Sequence, residues 1–429
     1  MAASFFYLLF MIFLFILLLG TLFLFFNIRR IAPGIKGSII AGAFVVILPI
    51  CFLFRDMLWA SYGVAIFSVW LCEALLVYVA WWIARGVIRL VRRKPLPSRV
   101  AVIAARALLM VSVAMTAVFC IVGKNIDANY DIKKVMVSVP GTEAKIYRHS
   151  AQGYELAKTL NISGKPLKIV FMSDLHVSPL FDQSKLERIY WDVKKARPDY
   201  LILGGDISDE SESLLANQGY GELFAKLAKA PSKGAIAING NHEGYMERTN
   251  GNVLSFMKKA GFAVLEDSTL CNDGFCFTGR TDFQVAKSRG VERKPLMELI
   301  PREEMNCDSS MSLLGRRFVN LNSHLRYMVD TSKYCIAHKY PWILVDHQPK
   351  GIETSHVGRI PDLALSGHTH AGQFFPGTFI INFVWRLAYG LGELDGVKWL
   401  VTSGMGCWGP PVRIGSRSEM WIIQIEQKK

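Results

Sequence analysis

The sequence predicts an α/β domain carried behind a helical membrane region. Three observations predict it. Apolar residues make up 51% of the 429 positions and charged residues only 20%, yet the apolar excess is concentrated in the first 122 residues. Four long apolar stretches occupy that part. Beyond it, short β-branched runs alternate with polar turns and longer helical segments, the pattern of buried strands connected by helices. High hydrophobicity at low charge, with mean hydropathy of +0.27, excludes an intrinsically disordered chain.

The apolar stretches cover residues 4–26, 37–54, 58–83 and 100–122. A helix needs roughly 20 apolar residues to cross the hydrocarbon core, so four spans are expected within residues 1–123. Met1 to Ser4 carry no Lys or Arg and no small-residue cleavage site follows the first run, which argues against a cleaved signal peptide. Arg29, Arg30 and Lys36 follow the first span. Arg85, Arg89, Arg92, Arg93, Lys94 and Arg99 follow the third, whereas the second loop has only Arg55 beside Asp56. The positive-inside rule puts the cation-rich loops in the cytoplasm and both termini, with the C-terminal domain, outside. Glu73 and Arg106 interrupt the spans; an interhelical ion pair is the expected use, and a polar path for a substrate is the alternative.

After a connector and first strand over 124–166, strands are expected at 134–139, 168–172, 200–203, 235–238, 342–345 and 363–365, with a last one at 420–425. Helices are expected at 185–196 and 214–228. Ligands of such cores gather where the strands end. The first core strand runs into Asp174-Leu-His176, the second into Gly205-Asp206-Ile-Ser-Asp209, and the third into Gly240-Asn241-His242-Glu243. Two later strands run into Asp346-His347 and Gly367-His368-Thr-His370.

Each piece alone has a plain structural reading. Asp after a strand is a common helix cap, and Gly-Asn-His makes an ordinary turn. Taken together they hold five of the nine histidines in the chain, which chance placement does not produce. Imidazole and carboxylate donors suit Zn, Fe or Mn, and two such ions together clamp a phosphoester.

This set resembles the signature of the calcineurin-like metallophosphoesterases. Gly367-His-Thr-His-Ala-Gly-Gln373 is most similar to the bacterial membrane-associated branch, as is the ending Gly404-Met-Gly-Cys-Trp-Gly-Pro-Pro-Val-Arg-Ile-Gly415. The likeness runs from about Leu167 to Ile425. It implies a four-layer α/β/β/α sandwich over 167–429 and two divalent metal ions, Mn, Zn or Fe. One ion would be held by Asp174, His176 and His370, the other by Asn241, His347 and His368, with Asp206 bridging both. His242 would stabilise the transition state or protonate the leaving oxygen, beside a metal-bridging hydroxide that attacks phosphorus in line, with Asp206 sharing in catalysis as the bridge. Asp209 and Glu243 fit either the orientation of ligands or helix capping. Arg413 fits either a phosphate contact or a salt bridge.

Two departures from a minimal member stand out. Four spans precede the domain, and residues 281–340 form a longer basic segment than the core needs. Its Arg316, Arg317, Arg326 and Lys333 among leucines suggest a solvated helix face, with a stretch lying on anionic headgroups or capping the site as the alternatives. Phe374, Phe375, Phe379, Phe383, Trp385 and Tyr389 make an aromatic-rich loop; core packing explains some of these, and an interfacial loop would explain Trp385 and Arg386 together. In an oxidising compartment Cys271 with Cys276 across a hairpin, and Cys307 with Cys335, are candidate pairs, and the sequence leaves the connectivity open.

The expected function is hydrolysis of a phosphorylated or pyrophosphorylated lipid, or a lipid-linked headgroup, at the outer face of a bacterial inner membrane. A soluble nucleotide or sugar phosphate is the alternative substrate, and a metal-stabilised scaffold the non-enzymatic one. The charge of +14 resides partly in the loops between spans, and no aromatic-basic reader motif is present, so a nucleic-acid partner is not expected.

Overall fold

The computed structural model describes residues 21–22, 25–26, 28–29, 34–54, 58–150, 153–162, 164–248, 251–302, 304–306, 317–322, 325–329, 334–409 and 411–428. Contacts divide the chain into two units, one of residues 1–127 with Trp408–Ile414, the other of Ala128–Cys407 with Gly415–Lys429.

In the first unit, α1 covers Ile35–Leu53, α2 Leu58–Arg92 and α3 Ser98–Ala128. Among the described residues, two stretches are long and apolar enough to cross a membrane, Val69–Arg92 and Ser98–Ala128, rather than four. Most of the span expected at 4–26 lies outside the described residues, and α1 contributes only the shorter apolar stretch Ile35–Ile47. The helix expected to end at 83 runs on to Arg92, because no proline interrupts it before Pro95. The ion pair expected between Glu73 and Arg106 does not form. The register of α2 on α3 sets Trp70 Nε1 against Ser112 Oγ at 3.2 Å and Tyr78 OH against the Ala105 carbonyl at 3.3 Å. That register brings Thr116 Oγ1 to Glu73 Oε2 at 2.9 Å and leaves Arg106 exposed.

The second unit opens with β1 (Asp131–Pro140), β2 (Thr142–Ser150), β3 (Gly153–Ile162) and β4 (Leu167–Met172). Then come α4 (Gln183–Ala196), β5 (Tyr200–Leu203), α5 (Glu212–Asn217), α6 (Tyr220–Ala228) and β6 (Gly234–Ala237). They are followed by α7 (Asn241–Glu247), α8 (Val253–Ala260), β7 (Ala263–Val264), β8 (Ser268–Asn272), β9 (Phe275–Gly279) and α9 (Phe283–Arg289). The rest is β10 (Glu304–Asn306), β11 (Arg317–Asn322), β12 (Leu325–Val329), β13 (Tyr334–Lys339), β14 (Trp342–Val345), β15 (Leu363–Ser366), α10 (Gly377–Val384), β16 (Gly390–Leu394), β17 (Val397–Val401) and β18 (Glu419–Lys428).

Two six-stranded mixed sheets form the core, ordered β1-β18-β4-β5-β6-β7 and β16-β17-β15-β14-β9-β8. Alternate residues of both face one shared apolar cluster, including Ile169, Phe171, Ile202 and Ile236 from the first and Phe277, Ile343, Val345 and Leu365 from the second. The other face of the first sheet packs on α4, α6 and α8 through Leu186, Ile189, Phe224 and Met257. The outer face of the second sheet is covered by the 3-10 turn Leu296–Leu299 against Trp342 and Trp399.

Two expectations change in this unit. The helix expected at 214–228 is two, because Gly219 adopts φ 80° between α5 and α6 and breaks the run. The basic segment opens with the helix α9, but the part that holds Arg317 and Arg326 is strand rather than helix: β11 and β12 form an antiparallel hairpin, and β13 joins β2, β3 and β10 in a four-stranded sheet. Residues 307–316 and 330–333 lie outside the described residues, and with them Cys307, Arg316 and Lys333. Cys271 and Cys276, in contrast, form a disulfide across the β8–β9 hairpin.

Candidate metal centre

Strands β4, β5 and β6 are parallel neighbours, and so are β14 and β15, so their carboxyl ends fall at the same edge of each sheet. The two sheets share their inner core, which lets loops from both meet at one place. All seven residues of the proposed ligand set come together there.

Two groups of donors are distinct. In one, His176 Nε2 lies 3.1 Å from His370 Nε2, and His370 Nε2 lies 3.6 Å from Asp174 Oδ1. In the other, His347 Nε2 lies 3.2 Å from Asn241 Oδ1, with His368 near enough to share an ion with His347 and Asp206. Asp206 Oδ2 stands between them, 3.1 Å from His347 Nε2 and 3.7 Å from His176 Nε2.

The donor set fits cations. His347 Nδ1 sits 2.8 Å from the Gly204 carbonyl, which can only accept, so Nδ1 carries a proton and Nε2 is the atom left to meet a cation. His176 Nδ1 is held at 2.7 Å by Asp209 Oδ1, again turning Nε2 toward the site. Two imidazole Nε2 atoms facing each other at 3.1 Å suit a shared cation, since ligands at about 2.1 Å from one ion lie roughly 3.0–3.4 Å apart. His242 joins His176 and Asp206 in a third overlapping group, while its Nδ1 lies 2.7 Å from the same Asp209 Oδ1.

The backbone that presents these groups is unusual. Asp174, His176, Asp206, His368 and His370 all have positive φ, between 46° and 71°. Non-glycine residues rarely adopt that conformation, and each costs on the order of 1–3 kcal/mol. Close packing holds it. A Cβ on Gly240 would overlap the Asp206 carboxylate, and one on Gly367 would overlap Asp174 Oδ2 and Ser173 Oγ. The His368 amide donates to both oxygens of Asp174, at 2.9 and 3.1 Å.

Electrostatics sort the protons. Burial alone would raise the Asp206 carboxyl, but the rings of His347, His242 and His176 hold it well below the usual carboxylate range. Burial likewise opposes a charge on His242, yet Asp206, Asp209 and Glu243 push its imidazole up to about 9. Burial would raise Asp209 too, but His176 and His242 hold it down. These neighbours bias Asp206 and Asp209 toward the ionised form and His242 toward the protonated one.

Glu243 does both things its sequence allowed. It receives the Gly240 amide at 2.7 Å, capping α7, and also the amides of Asp206 and Ile207 at 3.0 and 2.8 Å. It thus ties the second ligand loop to the third. Arg413 is buried, and its amide donates to the Gly123 carbonyl at 3.2 Å.

Sequence reasoning missed Asp282. Buried at the end of β9, it donates its amide to Asn239 Oδ1 at 2.5 Å and receives Gln348 Nε2 at 2.7 Å. It links the loops of Asn241 and His347, so the segment assigned to an insertion from 281 begins with site support. The signal was present: Gly279-Arg-Thr-Asp282 repeats the pattern of strand, glycine and carboxylate.

Residues 167–372 match the family described as calcineurin-like phosphoesterase. The chain is 30% identical over 268 residues to an "Uncharacterized metallophosphoesterase" of Aquifex aeolicus, covering 62% of this chain and 87% of that one. It is 28% identical to a protein of the same name from Helicobacter pylori, over 62% of this chain and 61% of the other. It is also 31% identical to a "Transmembrane protein with metallophosphoesterase domain" of Danio rerio, over 61% of this chain and 53% of that one. The chain thus spans about three-fifths of the Helicobacter relative and about half of the fish one. The fold and the donor set define a metal-dependent phosphoester hydrolase. The chain belongs to the calcineurin-like metallophosphoesterase family.

Proposed function

We propose that the substrate is a phosphate or pyrophosphate ester of a lipid or lipid-linked headgroup, hydrolysed at the outer face of a bacterial inner membrane. The observation that carries the hydrolytic reading is Asp206 Oδ2 standing between two groups of metal donors. In this reading Asp174, His176 and His370 hold one divalent cation, and Asn241, His347 and His368 the other, with Asp206 shared. When bound, such a pair supplies the charge that activates water and neutralises phosphoryl oxygens. His242, protonated through Asp206 and Asp209, delivers a proton to the departing oxygen. Asp209 keeps His176 and His242 in register.

The lipid substrate is supported by the two apolar stretches and by relatives from Danio rerio and Bos taurus named as transmembrane proteins. The outer face is supported by the cation-rich loops and by the Cys271–Cys276 disulfide, since disulfides persist in oxidising compartments. Four spans and a four-layer sandwich complete the reading.

Detergent-extracted protein loaded with Mn or Zn tests it on micellar lipid phosphates beside nucleotides and sugar phosphates. Faster turnover of the lipids is expected. Preference for the soluble esters would overturn the lipid reading and leave the hydrolase.

A further inference from the structure

We infer that α10, the short helix after the last ligand motif, docks into the apolar region of the same bilayer beside the metal centre. Its sequence, Gly-Thr-Phe-Ile-Ile-Asn-Phe-Val, has no charged residue, and none of its side chains is buried. Phe375, Phe379, Ile380 and Phe383 are 57%, 64%, 51% and 77% exposed. An uncharged cluster of this kind on a folded domain marks a surface meant to be covered.

The helix is fixed to the site. Gly372, two residues beyond His370, packs so closely on Gly377 that a Cβ on either would overlap the other's backbone. The Phe374 amide donates to the Gly372 carbonyl at 2.6 Å, and Ser416 Oγ donates to the Gln373 carbonyl at 2.9 Å. At the other end, the Trp385 ring meets the His368 ring edge-to-face at 5.2 Å. The exposed apolar face therefore borders a residue of the donor set, where the acyl part of a substrate would lie if its phosphate reached the metals.

The occupant is a lipid surface because the domain is tethered to one. Only Asn129 and Tyr130 separate the apolar helix α3 from β1, and the three Cα steps from Ala128 to Asp131 reach no further than about 11 Å. A protein partner would ordinarily be met by charged or hydrogen-bonding groups at the rim, and α10 offers none of the former. This use of the helix rests on the lipid-phosphate reading above, whereas the docking itself does not.

The test places the photo-reactive residue p-benzoylphenylalanine at Phe383 of the full chain, reconstituted in phosphatidylethanolamine and phosphatidylglycerol vesicles. Glu222, whose side chain is 77% exposed on α6, serves as the comparison site. Unaltered metal content shows that each variant has folded, and the same label at Ile380 repeats the test should the first bind no metal. Irradiation is expected to attach lipid at position 383 with a yield about tenfold above that at 222. Equal yields at both sites, or crosslinks from 383 only to residues 35–128 or to a second copy, would overturn the inference. Lipid attachment without hydrolysis of any lipid phosphate would leave the docking standing and remove the lipid substrate, so the two failures are distinct.

Discussion

Asp209 Oδ1 lies 2.7 Å from His242 Nδ1, and the same oxygen lies 2.7 Å from His176 Nδ1. One carboxylate oxygen thus orients both a donor of the metal centre and the side chain biased toward the protonated form. In the proposed reaction this arrangement would couple metal binding to proton delivery.

Replacing Asp209 separates these duties. Asp206, Asp209 and Glu243 raise His242 to about 9 against burial, so the donor form is present below that pH and lost above it. Asp209→Asn removes one of the raising charges, and the alkaline limb of the pH–rate profile should move to lower pH by about one unit. Metal affinity should fall roughly 10–100-fold, because His176 loses its orienting partner. A limb that stays in place would remove His242 from the role of acid.

Glu243 is expected to matter for stability as much as for activity. Glu243→Ala leaves the buried amides of Asp206, Ile207 and Gly240 without their acceptor. Each orphaned group costs on the order of 1–3 kcal/mol, so denaturant unfolding should show a loss of about 3 kcal/mol or more.

Gly367 tests the strained presentation of the ligands. In Gly367→Ala the new Cβ overlaps Asp174 Oδ2 and Ser173 Oγ, neither of which has room to move in this buried site. Metal analysis should find at least one ion lost. Gly42→Ala, with open space around it, should retain both.

The Cys271–Cys276 bridge gives a stability test and a location test together. Its short loop should contribute about 2 kcal/mol, lost on reduction. Alkylation in intact cells should find these two thiols blocked if the domain lies outside the cytoplasm.

The site was legible because its ligands sit beside the glycines that shape their own loops. Gly205, Gly240 and Gly367 mark strand ends in the sequence, and each lies against an Asp or another site loop in the fold. What was not legible depends on distant partners. Asp282 acts through Asn239 and Gln348, 43 and 66 residues away, and no local pattern announces that. Glu419, at the start of the last strand, gathers Thr402, Ser403 and Tyr389 from other segments in the same way. The Glu73–Arg106 expectation failed for a related reason. Composition gives the charges within a helix pair, but the register that chose Thr116 comes from side-chain packing.

Phosphate release by the purified, Mn- or Zn-loaded chain, measured across lipid phosphates and nucleotides with Asp206→Asn and His242→Ala alongside, tests the central claim most directly. The account predicts turnover of lipid phosphates that falls by a factor of about 100 or more in both variants. Turnover undiminished in Asp206→Asn, or no release from any ester with metals bound, would contradict it.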